Sequence, residues 1–189
     1  MALKRIPAKG GKVEQIPIKK WNWNSPMGTL IVRTMFSEQA DLVPARLNVL
    51  GEQGHPIIPA QGPCRFDGQN GRVFFYSPGE IELTVPVGKV TVSAVHGLTT
   101  PEVELEVSIA SNRTTIVDLE LTQVWNPQEA GWRSGDHHFH LNYGGTYVLA
   151  PEDILLDMKA EGIDVGIPLL ANLVPQITHD RYTKEKRYN

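Results

Sequence analysis

The sequence predicts a mainly β protein, an antiparallel β-sandwich followed by a short α/β segment. Three observations predict it. Apolar and polar residues switch at each position in Ile81-Glu82-Leu83-Thr84-Val85 and Val103-Glu104-Leu105-Glu106-Val107. That is the period of a strand with one buried face. Short β-rich runs are separated by Gly, Pro and Asn between Thr29 and Leu121, as in a sandwich or barrel. The period then changes after Trp125-Asn126-Pro127-Gln128-Glu129-Ala130-Gly131, a polar connection that marks a domain boundary.

The candidate strands, in order, are Thr29–Met35, Ala45–Leu50, Gly71–Tyr76, Glu80–Val85, Gly88–Ala94, Glu102–Ile109 and Thr114–Leu121. The last repeats the alternating register in Ile116-Val117-Asp118-Leu119-Glu120-Leu121. Ser77-Pro78-Gly79, Pro86-Val87-Gly88 and Ser111-Asn112-Arg113 stand where hairpin reversals are needed, because Gly and Asn accept the backbone angles of tight turns. These registers place Val85, Val92, Leu105 and Leu119 in one buried cluster. Beyond the boundary, Pro151 suits a first helical residue and Gly162 a terminator, with Ile154, Leu155 and Met158 as the buried stripe. Ile163-Asp164-Val165-Gly166-Ile167 reads as a second strand, so strand, helix and strand make a βαβ start with parallel strands. The domains are therefore an N-terminal extension over 1–28, a sandwich over 29–128 and an α/β segment over 129–189. The sandwich is expected to fold by itself, with the segment loosely docked on it.

With 189 residues, 41% hydrophobic and 21% charged, the composition is that of a soluble globular protein. A net charge of −3 offers no polycationic surface for nucleic acid. No run reaches the apolar length of a membrane span. The N-terminus is not an intact secretory signal, since Met1-Ala2-Leu3-Lys4-Arg5-Ile6-Pro7 runs into Gly, Lys and Glu instead of an apolar block; a secreted or periplasmic location requires that a signal has been removed. Cys64 is the one cysteine. It forms no internal disulfide and is expected as a small packed core residue.

The chemistry concentrates in Trp132-Arg133-Ser134-Gly135-Asp136-His137-His138-Phe139-His140. In a regular strand residues two apart share a side, so Asp136, His138 and His140 form one polar row while His137 and Phe139 face away. Two imidazoles on one face can grip a divalent metal such as zinc, manganese or iron, and a nearby carboxylate can orient them. A catalytic site usually needs at least three protein ligands.

Gly131 to Gly145, followed by Ala150-Pro151-Glu152-Asp153-Ile154 and Lys159-Ala160-Glu161-Gly162-Ile163-Asp164-Val165, resembles the opening of the CehA/McbA-type metallohydrolases of the polymerase-and-histidinol-phosphatase (PHP) superfamily. That resemblance implies the start of a distorted β/α barrel with a metal cluster at the strand C-termini. The preceding segment, with Ala45-Arg46-Leu47-Asn48-Val49, Gly51-Glu52-Gln53-Gly54 and Val85-Pro86-Val87-Gly88-Lys89-Val90-Thr91-Val92, resembles the transthyretin-like or carboxypeptidase-regulatory-like sandwich that often precedes such enzymes. On this pattern His138 and His140 match the first His-x-His metal pair and Asp136 the carboxylate before it. Family members commonly place a further Asp or His just beyond the pair, where this sequence has Asn142-Tyr143-Gly144-Gly145-Thr146. A Thr-Asp-His-like motif commonly follows the next strand, where this sequence has Leu169-Leu170-Ala171-Asn172-Leu173.

The resemblance implies the N-terminal portion of a metal-dependent hydrolase that opens an ester, amide or phosphoester bond with metal-activated water, the sandwich serving as accessory domain. A closed barrel needs about 250 residues, so this chain alone is expected to be inactive and its barrel start to be covered by a C-terminal continuation or another copy. The competing expectation is a non-catalytic binding or assembly module with a vestigial His-x-His site. Other residues read as ordinary. His55 and His96 fall in surface turns, His179-Asp180 in a polar tail, and Trp21 and Trp23 on a packed strand. Asn112-Arg113-Thr114 is a common sequon, and Gly144-Gly145 lacks the lysine and glycine pattern of a phosphate loop.

Overall fold

The structure is a computed structural model that describes residues 25–38, 41–60, 64–67, 69–140 and 154–169. The predicted Trp21, Trp23, Gly144, Gly145, His179 and Asp180 readings, and the helix start at Pro151, lie outside them. Strands β1 (Met27–Phe36), β2 (Ala45–Gly51), β3 (Arg65–Asp67), β4 (Arg72–Ser77), β5 (Glu80–Pro86), β6 (Gly88–Val95), β7 (Val103–Ile109) and β8 (Thr114–Leu121) form two sheets. One has the order β5-β1-β8 and the other β3-β4-β2-β6-β7. Alternation explains their packing. Along β1, Leu30, Val32 and Thr34 are buried between half-exposed neighbours, and β8 buries Val117, Leu119 and Leu121 in the same way. With Leu47, Val49, Phe75, Leu83, Val85, Val90 and Val92 they fill one core between the sheets.

Seven of the eight sandwich strands match the predicted runs. The short β3 is the addition, and three residues are too few to show a period in the sequence. Val85, Val92 and Leu119 share the core as expected, but Leu105 is 42% exposed. Its register is as read, since it pairs with buried Val92. It sits at the middle of β7, an edge strand of the broader sheet, whose contribution to the core comes from Ile109, Val103 and Val107 instead.

The three predicted hairpin turns are instead arches between sheets. β4 and β5, β5 and β6, and β7 and β8 each lie in different sheets, while the true hairpins are β3–β4 and β6–β7. A turn sequence specifies a reversal but not the sheet in which the next strand finds its partner. At the first arch Gly79 has φ +126°, and a Cβ there would stand 2.7 Å from Leu42 Cβ. Its carbonyl accepts from the Thr34 amide at 2.8 Å, so the arch is tied to the C-terminal part of β1. Asn112 supplies the left-handed residue of the third arch, with φ 52°. The pairing is antiparallel throughout the sandwich except where β1 and β8 run parallel. These are its first and last strands, and no tight turn constrains their direction.

After β8 the chain turns at 127–131, with Trp132 N–H donating to the Pro127 carbonyl at 2.9 Å. It then forms β9 (Gly135–His140), α1 (Leu155–Ala160) and β10 (Val165–Leu169), with β9 and β10 parallel as expected of a βαβ unit. Gly162, at φ +63°, closes α1. The Gly162 amide donates to the Lys159 carbonyl at 3.2 Å and the Ile163 amide to that of Met158 at 2.8 Å, the bond pair of a Schellman cap. The predicted stripe is only partly right. Ile154 is buried and Met158 half-buried, but Leu155 is 53% exposed. The faces that count are those of Met158, packed close over Gly166 of β10, and of Asp157 and Glu161, one turn apart and turned toward the sandwich.

That second face fixes the segment to the outer surface of the five-stranded sheet. Arg65 Nη2 donates to Asp157 Oδ2 at 2.6 Å and its Nε to the same oxygen at 3.1 Å. Arg46 Nη1 lies 3.0 Å from Glu161 Oε1, and the Tyr76 hydroxyl donates to that oxygen at 2.9 Å. The Gly97 amide donates to the Ala160 carbonyl at 2.9 Å. Burial, with the Glu161 carboxylate adding to it, pushes the Tyr76 phenol far above its ordinary 10.0. Among the described residues no helix is long and apolar enough to cross a membrane.

Two outcomes are expected. Thr34→Val removes the hydroxyl that donates to the Val43 carbonyl at 2.6 Å in a fully buried position, and should lower stability by about 1–3 kcal/mol in urea denaturation. Tyr76→Phe should cost about 1 kcal/mol below pH 10. In the unsubstituted protein the Tyr76 contribution is complete below 10.0, the ordinary value, and declines as pH rises toward the raised folded value, because the unfolded chain then ionises first. A substituted protein whose stability falls as steeply in that alkaline range would show that Tyr76 is not the titrating group.

Candidate metal-binding strand

The start of β9 is held by a polar clamp. The Ser134 amide donates to Asp164 Oδ2 at 2.8 Å, the Asp164 amide donates to Ser134 Oγ at 3.1 Å, and Ser134 Oγ donates to the Gly162 carbonyl. Serine and aspartate do this because short polar side chains reach neighbouring backbone groups. The Ser134 amide, assisted by its hydroxyl and by Arg133, holds the Asp164 carboxyl below its usual 3.8. The clamp sets the parallel register in which Val165 faces Gly135 and Gly166 faces Asp136.

Past Asp136 the register shifts. Pro168 pairs with Phe139 and Leu169 with His140, so three steps along β9 match two along β10. His137 and His138 together oppose the single residue Ile167, which is a β-bulge. Its consequence is a change of faces. Asp136 and Phe139, opposite Gly166 and Pro168, share one side and are half-buried. His137 and His138 are exposed on the other. The single row of Asp136, His138 and His140 expected from strict alternation is therefore interrupted at the bulge, and His137 joins the exposed side. Asp136 has a local task there, since its Oδ1 accepts the backbone N–H of His138 at 2.9 Å and so occupies a donor inside the bulge.

The side chain of His140 lies outside the described atoms. Among the described residues no group of three or more His, Cys, Asp and Glu stands close enough to hold a metal. Elsewhere, His55 is exposed as expected. His96 is not a bare surface residue: it is half-buried, with Nδ1 2.7 Å from the Pro44 carbonyl oxygen and its ring edge-on to Phe36 at 5.1 Å. Cys64, expected in the core, is exposed, because it leads into the short outer strand β3. Asn112 is exposed in its arch.

The residues that fix the segment escaped sequence reading. Arg46 and Arg65 lie on the outward side of their strands, and no spacing links them to Asp157 and Glu161, roughly ninety and more residues away. The one available signal was polar residues alternating with the buried side of β2.

No family model and no curated protein matches the sequence. Solved structures with partial likeness include the Bacillus anthracis TIE protein, with 15% identity over 52% of this chain and 18% of that one, at a TM-score of 0.37. GBS52, the minor pilin of Streptococcus agalactiae, is 18% identical over 56% of this chain and 47% of its own, at 0.38. Phospholipase PlaB from Legionella pneumophila is 12% identical over 59% of this chain and 28% of its own, at 0.31. This chain spans less than half the length of each.

The clamp generates a pH dependence. Because the folded Asp164 carboxyl titrates below 3.8, its contribution is complete above that value and is lost as pH falls through the depressed one. Amide exchange at Ser134 and Val165 should accelerate in that acid range. With Asp164→Asn the acid step should disappear at those amides; an unchanged step would assign it to another carboxylate.

Proposed function

We propose that the chain carries the first metal-binding strand of a metal-dependent hydrolase, with the β-sandwich as accessory domain and His138 and His140 as the metal pair. The observation that carries this reading is the position of the pair. Both lie at the C-terminal end of β9, which runs parallel to β10 in a βαβ unit. In parallel α/β sheets ligands bind beyond the carboxyl ends of the strands. The donor set is compatible: two neutral imidazoles suit zinc, manganese or iron, and His138 is solvent-exposed. A divalent metal bound there supplies a water of lowered pKa for attack on an ester, amide or phosphoester bond.

The roles of the protein groups follow from the geometry. Asp136, holding the His138 amide, keeps the bulge open and so sets the direction of the exposed imidazole. The Ser134–Asp164 clamp fixes the height of β9 against β10. Docking of α1 on Arg46 and Arg65 makes the sandwich a support for the metal strand. Further ligands must come from other chemistry-bearing residues, since two histidines leave a hydrolytic site incomplete.

Metal analysis after equilibration with zinc tests the reading. The unsubstituted protein should retain metal, and His138→Ala and His140→Ala should each weaken it by at least about tenfold, as expected when a ligand is removed from a site. Equal metal content in all three proteins would overturn the assignment. Asp136→Asn should have a smaller effect, expressed in the His138 amide and imidazole signals in NMR spectra.

A further inference from the structure

The outer face of the five-stranded sheet carries a second concavity, away from β9. It measures about 190 Å³, and its lining includes Arg46, Asn48, Asp67, Arg72, Phe74 and Ser93. The sheet register explains the assembly. Asn48 and Ser93 are direct cross-strand partners, and Asp67 pairs with Arg72. Outward positions of four adjacent strands therefore converge on one patch, next to the stretch that α1 covers.

One group in this patch is unaccounted for by the fold. Ser93 is only 4% exposed, and among the described residues its hydroxyl has no hydrogen-bond partner. It lines the concavity and is not sealed from solvent there. Solvent reaches this hydroxyl, so it is free to exchange water for a hydrogen-bonding ligand. Beside it the Asn48 Nδ2 is spent on the Val73 carbonyl at 2.6 Å, which orients the side chain and leaves its Oδ1 as an acceptor.

The surroundings restrict the chemistry of that partner. Arg46 lies 3.0 Å from Glu161, and Arg72 lies 3.2 Å from Glu102. Asp67 accepts the Gln69 amide at 2.9 Å and Asn70 Nδ2 at 2.6 Å. Each charge in the patch is already matched or bonded, so an ionic ligand would have to break existing pairs. The apolar element is Phe74, fixed by the Arg46 guanidinium 5.5 Å from its centroid and by Tyr76 edge-on at 5.8 Å. Hydroxyl, amide and guanidinium groups around an aromatic ring offer both hydrogen bonds and an apolar platform.

We infer that this concavity binds a neutral saccharide unit, with Phe74 packing on the C–H face of the ring and Ser93 and Asn48 bonding its hydroxyls. The inference stands apart from the metal strand, since it uses none of the residues of β9. As an accessory-domain site it would hold a saccharide on the sheet face that also receives α1.

The test uses the full chain and the methyl pyranosides of glucose, galactose, mannose and N-acetylglucosamine. Saturation-transfer NMR should detect at least one of them at millimolar concentration, with amide shifts centred on Asn48, Phe74 and Ser93. Ser93→Ala removes no bond that the fold uses, so it should leave the spectrum folded and weaken binding about five- to tenfold, the loss of one hydrogen bond. Phe74→Leu should weaken it at least as much. The proposal is overturned if none of the four sugars gives saturation transfer, if both substituted proteins bind as well as the original, or if the same amides respond to sulfate and not to sugar. Metal binding by His138 and His140 is read separately, so failure of either assignment leaves the other standing.

Discussion

Burial of alternate side chains between two unequal sheets is the constraint on which the rest of the molecule depends. Leu30 and Val32 of β1, Leu83 and Val85 of β5, and Leu119 and Leu121 of β8 face Leu47, Val49, Val90 and Val92 across one core. At about 25 cal/mol per Å² of apolar surface removed from water, such a layer is the main source of stability. The inequality of the sheets matters as much. Leu105, on the edge strand β7, stays partly exposed, while the outward side of the broader sheet is left free for other work.

That outward side does two things. At one end Arg46, Arg65 and Tyr76 receive Asp157 and Glu161 of α1. The side chains of the Arg65–Asp157 pair are about one-fifth exposed, so the pair is screened less than a surface pair and is worth more than one. A six-residue helix has little stability of its own. Its Schellman cap and these bonds hold it, and Met158 passes the constraint to Gly166 and so to β10. Sandwich, helix and parallel strand pair thus form a chain of contacts from the core to β9. At the other end the same sheet face stays open and polar, with Ser93 at its floor.

The bulge in β9 is the point where local pattern and pairing disagree. Asp136, His138 and His140 are spaced for one row, and in a regular strand they would form one. Pairing with β10 inserts an extra residue, moves Asp136 to the side of Phe139 and exposes His137 beside His138. Bulges are enriched where a strand must aim a functional side chain, in keeping with the metal-strand reading. The carboxylate then acts on the backbone of its neighbour, a role that spacing in the sequence does not suggest.

Strand positions, the mainly β class and the βαβ pattern at the end were legible in the sequence, because alternation, turn residues and helix stops act within a few residues of one another. What the turns join was not, since Gly79 and Asn112 encode a reversal whose destination depends on which faces bury each other. Nor could β3, the exposed Cys64, the bulge or the docking of α1 be read, because each depends on a partner distant in sequence: β4, the free sheet edge, β10, or the arginines of β2 and β3. The sequence by itself determined which residues turn inward and where the chain bends. Only the tertiary structure decided which strands meet, which polar residues share a surface, and which side of β9 His137 and His138 occupy, because those outcomes come from competition among long-range pairings for the same buried faces.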